Sequence, residues 1–240
     1  AQGERYQPEF VMSLNGKWDF WWRESDASYK EEFVAPGYNS SSWDKIDVPA
    51  NWELNGYGTA IYTNHGYEFK PSNPQPPILP EKNAVGVYRK VIDIPANWDG
   101  REVYLNIEGA KSGCYVYVNG ILVGYNEDSK NTAEYNLTPY LHKGENLVAL
   151  KIYRWSTGSY LECQDFWRLS GIERDVYVFA QPKVHLFDYR ITPIVEHLAE
   201  DGLIGSGYFE LDAVVKNNSK SNATVELSLG GALSGGEKRR

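Results

Sequence analysis

Residues 103–123 read VYLNIEGAKSGCYVYVNGILV, and this stretch decides the fold class. Apolar residues occupy alternate positions in the runs 103–107 and 114–118. A period of two is typical of β-strands, whereas an amphipathic helix repeats its apolar positions every three or four residues. Asn119 and Gly120 then precede a further apolar run, and this dipeptide is the signal of a two-residue type I′ turn. The stretch therefore predicts an antiparallel hairpin.

Short apolar runs of the same kind occur on both sides of this hairpin. Clusters of Gly, Pro and Asn separate short apolar runs, and no amphipathic helix stands out, so the pattern predicts an all-β sandwich. Residues 70–83 hold five prolines, which excludes a helix or a central strand there and indicates an extended loop or an exposed linker. Further strands are predicted at residues 17–22, 86–94, 146–154 and 174–180.

A domain boundary is predicted near Pro182. After it, HLFDYRITPIVE, GSGYFELDAVVKN and NATVELSLGG each have the pattern of a strand and are separated by polar turns, as in an immunoglobulin-like sandwich. Such a domain needs about seven strands in about 100 residues. Residues 1–182 are thus expected to form one β-sandwich domain, and residues 183–240 the truncated start of a second. Either the chain is cut inside a larger protein or these strands are an appendage.

The amino-acid composition limits the classes of molecule that this chain could bind. The net charge is -8, which argues against nucleic acid and anionic membrane surfaces, because both require clustered Lys and Arg. No apolar run is long enough for a membrane span. A neutral ligand fits better, and the aromatic share of 14% suits sugar stacking and a β-sandwich core equally well. The two cysteines, Cys114 and Cys163, lack CxxC spacing and are expected to be buried free thiols. The compartment, cytoplasmic or periplasmic, stays open.

Two acidic residues raise the question of catalysis. Glu162 and Asp165 lie in WSTGSYLECQDFWR, residues 155–168, and paired carboxylates beside aromatic rings are what a glycosidase requires. Arg168 and Arg174 follow closely, so ion pairs that pin a long loop explain the two acids equally well. The structural interpretation is favoured.

Two other stretches carry polar groups at predicted strand ends. In GYNEDSK, Glu127 and Asp128 follow a hairpin strand, where sandwiches bind ligands, although an Asp-Ser pair is usually a solvated turn. In IYTNH, Tyr62, Asn64 and His65 follow one another closely; an Asn amide matches a sugar hydroxyl but more often closes an Asx turn. The four histidines show no metal-ligand spacing.

Five motifs follow one another along the chain: LNGKWDF, VPANWELNGYGTAIYTNHGYEF, PPILPEKNAVGVYRK, GYNEDS and RWSTGSYLECQDFWRLSGIERDV. In this order they resemble the amino-terminal region of β-galactosidases of glycoside hydrolase family 2, and the resemblance spans about residues 10–195. It implies a jelly-roll, galactose-binding-like sandwich, then an immunoglobulin-like domain, then a (β/α)8 barrel that performs retaining hydrolysis with two glutamates, and this chain stops before that barrel.

The resemblance also implies residue roles. Asn64 matches a residue that hydrogen-bonds the galactosyl unit, and Asp128 matches one that contacts galactose and helps bind sodium. By this resemblance no catalytic residue lies in this chain, Glu162 and Asp165 belong to a loop that braces the sandwich against its neighbours, and magnesium is expected only in the absent barrel. The role of His65 stays open. The implied partners are a β-galactoside and the remaining domains of the enzyme, which could be an oligomer.

A free-standing carbohydrate-binding module is the alternative function. Such a module would place a row of exposed Trp or Tyr on one sheet face, where the rings stack on sugars. Exposure of Trp21, Trp22 and Trp98 therefore discriminates between the two functions.

Overall fold

The computed structural model describes residues 8–26, 31–69, 73–198, 200, 204–228, 231–232 and 238–239. The first of its two compact units is Ala1–Gln181, and the described residues of this unit form β-strands and short 3-10 helices. The strands are β1 Val11–Ser13, β2 Gly16–Arg23, β3 Asp44–Val48, β4 Ala50–Asn51, β5 Ile61–Thr63, β6 Val85–Asp93, β7 Glu102–Ile107, β8 Ala110–Lys111, β9 Gly113–Val118, β10 Ile121–Asn126, β11 Ala133–Asn136, β12 Glu145–Tyr153, β13 Phe166–Arg168, β14 Gly171–Ile172 and β15 Val176–Gln181. The 3-10 helices are Pro8–Phe10, Glu31–Val34, Glu53–Asn55, Ala96–Trp98, Thr138–Tyr140 and Thr157–Tyr160.

The all-β prediction is confirmed, and so are the strands predicted in this unit. Residues 17–22, 86–94, 146–154 and 174–180 correspond to β2, β6, β12 and β15 within two residues at each end. Residues 1–7 and 27–30 of the predicted first domain and residues 70–72 of the proline-rich loop lie outside the described part of the chain.

The hairpin that decides the fold is present with its predicted turn. β9 and β10 pair antiparallel with Ile121 opposite Val118, so Asn119 and Gly120 form a two-residue loop. Both loop residues have positive φ, 51° and 88°, as a type I′ turn requires. The Asn119 side chain also accepts a 2.9 Å hydrogen bond from the Leu147 amide, which ties the turn to β12.

Two sheets pack face to face around one core. A six-stranded sheet has the order β10-β9-β12-β6-β2-β3, and a four-stranded sheet has the order β1-β15-β7-β11, with antiparallel pairing in both. Side chains from both sheets form a single buried cluster, including Trp18, Tyr88 and Val116 from the first and Leu105 and Val178 from the second. Burying each such side chain contributes about 1.5–3 kcal/mol, so this cluster is what holds the sandwich together.

The outer face of the six-stranded sheet is also covered, which strand alternation does not predict. Phe33, 1% exposed, belongs to a second buried cluster with Val87 of β6, Tyr117 of β9 and Ala149 of β12. Arg89 lies on this face as well, and its guanidinium donates a 2.7 Å hydrogen bond to the main-chain carbonyl of Tyr38. The segment after β2 therefore covers this face, so the central strands of the six-stranded sheet are shielded from water on both faces.

The second compact unit, Pro182–Arg240, contains a long antiparallel hairpin, β16 Val184–Leu198 and β17 Ile204–Asn217, and a short pair, β18 Gly231–Ala232 with β19 Lys238–Arg239. The prediction of a strand from residue 222 is wrong for residues 222–228, which are not paired into a sheet. A segment becomes a strand only when a neighbouring strand offers an unpaired edge in a matching register, and an alternating apolar pattern does not provide this partner. Residues 229–230 of that prediction lie outside the described part. No helix among the described residues is long and apolar enough to cross a membrane.

Candidate functional site

Asn64 lies at the end of a small two-stranded sheet. β5 pairs antiparallel with β13, with Phe166 opposite Thr63 and Trp167 opposite Tyr62. Asn64 follows β5 directly and is exposed. Its Oδ1 lies 2.7 Å from Nδ1 of His65, so the neighbouring ring, whose role the sequence left open, orients the amide. An Asn held in this way keeps its Nδ2 group as a donor for a ligand.

Asp128 lies in the turn after β10. Its Oδ1 accepts 3.2 Å hydrogen bonds from the main-chain amides of Lys130 and Asn131, and its Oδ2 accepts a 2.7 Å bond from Nδ2 of Asn131. These bonds from Asn131 and Lys130 lower the pKa of Asp128. The solvated turn that is usual for an Asp-Ser pair is therefore present, with Asp128 capping the main-chain amides that follow it, and it holds an ionised, exposed carboxylate at a fixed place.

Glu127 anchors the same turn from its other side. Its carboxylate accepts hydrogen bonds from the hydroxyl groups of Thr157, at 2.6 and 2.7 Å, and Tyr125, at 3.0 Å. Burial opposes ionisation of Glu127, but these hydrogen bonds outweigh it and lower its pKa. The end of β10 is thereby attached to the 3-10 helix Thr157–Tyr160.

Glu162 and Asp165 each hold a different neighbour. Glu162 Oε1 accepts a 2.8 Å hydrogen bond from the amide of the fully buried Ser129, the residue after Asp128. Asp165 Oδ1 accepts a 2.6 Å bond from the hydroxyl of Tyr62, which lies two residues before Asn64. One loop thus braces both the Asp128 turn and the strand that carries Asn64.

The predicted ion pairs around these acids are wrong in detail. Arg168 is 1% exposed, and its Nη1 donates a 2.9 Å hydrogen bond to the main-chain carbonyl of Glu162, instead of pairing with the carboxylate. The Arg174 guanidinium likewise donates to the main-chain carbonyl of Lys130. The Arg168 guanidinium also lies 4.9 Å from the centre of the Phe166 ring. Main-chain carbonyl groups thus take the place of the predicted carboxylates as acceptors for both cations.

Among the described residues, no group of three or more His, Cys, Asp or Glu side chains could hold a metal ion. Hard cations take several oxygen ligands. Asp128 fits as one such ligand, because its carboxylate is exposed and has about four lone-pair sites, of which three are occupied. Both cysteines are free thiols as predicted, but only Cys114 is buried; Cys163 is half-buried.

The three tryptophans chosen to test for a stacking platform do not form one. Trp98 is 2% exposed, Trp22 packs against the core, and Trp21 stacks on Trp43 with ring centroids 5.5 Å apart. Exposed rings in the first compact unit include Tyr62 and Trp167, a pair that the sequence did not single out.

The chain is similar in sequence to known proteins. The model of the family described as "Glycosyl hydrolases family 2, sugar binding domain" matches residues 11–182. A beta-galactosidase of Priestia megaterium is 39% identical over 218 residues, which is 88% of this chain and 21% of that protein. A beta-galactosidase of Halalkalibacterium halodurans is 40% identical over 194 residues, 80% of this chain and 19% of that protein. The chain therefore spans about a fifth of the length of these relatives.

Solved structures share the fold at lower identity. A beta-glycosidase from Bacteroides vulgatus gives a TM-score of 0.60 at 23% identity, with 88% of this chain and 25% of that chain covered. A beta-glucuronidase from Bifidobacterium dentium gives a TM-score of 0.64 at 18% identity, with 86% of this chain and 36% of that chain covered. At these identities the likeness concerns the fold.

Proposed function

The chain belongs to glycoside hydrolase family 2, and we propose that it is the non-catalytic amino-terminal part of a retaining β-galactosidase, in which Asn64 and Asp128 contribute to a galactose site completed by other domains. Hydrolysis itself would belong to two glutamates of a (β/α)8 barrel outside this chain. Residues 183–240 would begin the immunoglobulin-like domain that links the two, with the apolar side chains exposed on β16 and β17 covered by the rest of that domain.

The observation that carries the proposal is the shared brace beneath Asn64 and Asp128. Glu162 holds the amide next to Asp128, and Asp165 holds the hydroxyl of Tyr62 on the strand that ends at Asn64. One loop thereby holds the turn that carries Asp128 and the strand that ends before Asn64, two exposed polar residues from distant parts of the sequence. A binding site requires this, because a ligand that meets preorganised groups does not have to order them.

Each residue would have a distinct role toward the sugar. The Asn64 amide would donate from Nδ2 to a hydroxyl oxygen, since its Oδ1 already faces His65. Asp128 would accept from a galactose hydroxyl and supply one oxygen to sodium, whose further ligands would come from the sugar and from domains outside this chain. A magnesium ion, if the whole enzyme uses one, would bind in the barrel.

Steady-state kinetics of the full-length enzyme that contains this chain test the proposal. Asp128→Ala should lower kcat/KM about tenfold or more, because a hydrogen bond to a charged group contributes about 1.5–3 kcal/mol. Asn64→Ala should lower it about twofold to tenfold, because a hydrogen bond between neutral groups contributes about 0.5–1.5 kcal/mol. Asp128→Ala should also weaken activation by sodium. Asp99→Ala, which removes an exposed carboxylate after the 3-10 helix Ala96–Trp98, is the matched control. Wild-type kinetics and sodium response in the Asp128 variant would refute the assigned role.

A free-standing carbohydrate-binding module is the second candidate, and one observation favours it. Tyr62 and Trp167 are each 55% exposed beside Asn64, which offers a small stacking surface within this chain. A module of this kind would bind sugar without help from other domains, so the affinity of the isolated chain distinguishes the two functions.

A further inference from the structure

Two exposed aromatic rings lie beside Asn64 on the sheet formed by β5 and β13. Tyr62 and Trp167 are directly opposite each other in the register of these strands. Their ring centroids are 5.8 Å apart with 59° between the ring planes, so the rings form an open corner. Large exposed aromatic residues that lie together usually mark a binding surface.

Two polar residues flank these rings in the chain. Side chains alternate across a strand, so Tyr62 and Trp167, which are directly opposite each other, project to one face, while Asn64 directly follows β5 and Asp165 directly precedes β13. The hydrogen bond of 2.6 Å from the Tyr62 hydroxyl to Asp165 Oδ1 agrees with this arrangement. The opposite face carries Phe166, with the Arg168 guanidinium 4.9 Å from its ring centre, and is turned inward.

We infer that Tyr62, Asp165 and Trp167 extend the sugar site of Asn64: the two rings pack against the C–H face of a pyranose, and Asp165 accepts a hydrogen bond from one of its hydroxyl groups. The inference rests on the proposed function, and it adds substrate-contacting residues to it. Sugar sites combine apolar ring faces with a few fixed polar groups, and this face holds both kinds within two paired strands.

The carboxylate favours a sugar over a protein domain as the occupant. Asp165 is exposed and holds the Tyr62 hydroxyl as a donor, which raises the pKa of Tyr62. An apolar protein surface placed on the rings would bury this carboxylate without a matching cation, which is costly. A neutral sugar instead brings hydroxyl donors to it, and the carboxylate has lone pairs left to accept them.

Titration of the 240-residue chain with methyl β-galactopyranoside, followed by NMR, tests the inference. The signals to follow are the indole N–H of Trp167 and the side-chain amide of Asn64, each assigned by substitution. Both should shift along one binding curve. Trp167→Leu keeps apolar bulk without a flat ring and should weaken binding about threefold to tenfold, the equivalent of one aromatic contact. Trp167→Phe should lose less than Trp167→Leu.

One further variant measures what the Tyr62 hydroxyl contributes to sugar binding, and a second variant is the control. Tyr62→Phe keeps the ring and removes the hydrogen bond to Asp165, so binding should weaken by about twofold to fivefold. Ile121→Ala removes an exposed apolar side chain from the hairpin turn region and should leave binding unchanged.

The outcomes separate this inference from the proposed function. A shift at Asn64 without any at Trp167, together with wild-type affinity in Trp167→Leu, would overturn the inference and leave the role of Asn64 intact. If neither signal moves up to the solubility limit of the sugar, the inference is refuted, whereas the role of Asn64 is decided by the kinetics of the Asn64→Ala full-length enzyme.

Discussion

Substitution of Glu162 by Ala should detach the Asp128 turn from the loop that braces it. Glu162 Oε1 accepts a 2.8 Å hydrogen bond from the amide of Ser129, a residue with 0% exposure. Without this acceptor the amide has neither a protein partner nor free access to water. An unsatisfied buried donor costs about 1–3 kcal/mol, so Glu162→Ala should lower the free energy of unfolding by about 2 kcal/mol. For a chain of this size that corresponds to a fall in Tm of about 4–8 °C.

Glu162→Gln is the informative companion because it keeps an oxygen acceptor for the Ser129 amide and loses only the charge. A charge-assisted hydrogen bond is about twice as strong as a neutral one, so this variant should lose about half as much stability as Glu162→Ala. Glu81→Ala removes an exposed acid and serves as the control, with an expected change within about 0.5 kcal/mol.

Urea unfolding and hydrogen exchange together measure the effect. The urea midpoint should fall in Glu162→Ala with an unchanged m-value, and exchange of the Ser129 amide should accelerate more than that of the β6 and β12 amides. A wild-type midpoint together with wild-type exchange at Ser129 would refute the bracing role. Equal losses in the Ala and Gln variants would show that the carboxylate charge, and not the acceptor, is what the turn requires.

Three further predictions follow from the same description. The isolated chain should not hydrolyse a chromogenic β-galactoside, since retaining hydrolysis needs two positioned carboxylates and Glu162 and Asp165 are each engaged by separate elements; turnover that survives repurification and disappears in Glu162→Gln or Asp165→Asn would contradict this. In hydrogen exchange, amides of β16 and β17 should be less protected than those of β6 and β12, because the side chains of that hairpin are largely exposed; uniform protection across the chain would argue against the difference. The folded protein lowers the pKa of Glu127 from its ordinary value of 4.5, so the contribution of this carboxylate to the free energy of unfolding is complete above pH 4.5 and is lost as the pH falls below it. Urea unfolding of Glu127→Gln should therefore show a smaller loss of stability on acidification than the wild type. Equal acid sensitivity of the two proteins would count against the anchoring role.

The parts of the fold that the sequence predicts are those with local causes. The β9–β10 hairpin follows from alternation and from Asn119-Gly120, whose positive φ values suit this dipeptide. Strands β2, β6, β12 and β15 follow from the same alternation between turn residues. The covered outer face of the six-stranded sheet was not predictable, because it depends on Phe33 and its neighbours returning over the sheet from a segment with little periodicity.

The candidate site depends on contacts between distant parts of the chain, and this is why its details escaped the sequence. Glu162 meets Ser129 33 positions away, and Asp165 meets Tyr62 103 positions away. Ion pairing with the nearby Arg168 was the simplest local explanation and is wrong, since that guanidinium binds a main-chain carbonyl of the loop. The pairing of Tyr62 with Trp167 likewise requires the register of β5 and β13, which two runs of three residues do not specify by themselves.

Calorimetric titration of the isolated chain with galactose, with and without sodium, tests the central claim that this chain holds only part of a sugar site. The hydrogen bonds that Asn64 donates and Asp128 accepts compete with water on an open surface and net about 1 kcal/mol each, while association costs several kcal/mol. Galactose should therefore bind no more tightly than about 1 mM, the affinity that corresponds to about 4 kcal/mol, and sodium should not change this. Micromolar binding that Asp128→Ala abolishes would contradict the account, because it would show a complete site within these 240 residues.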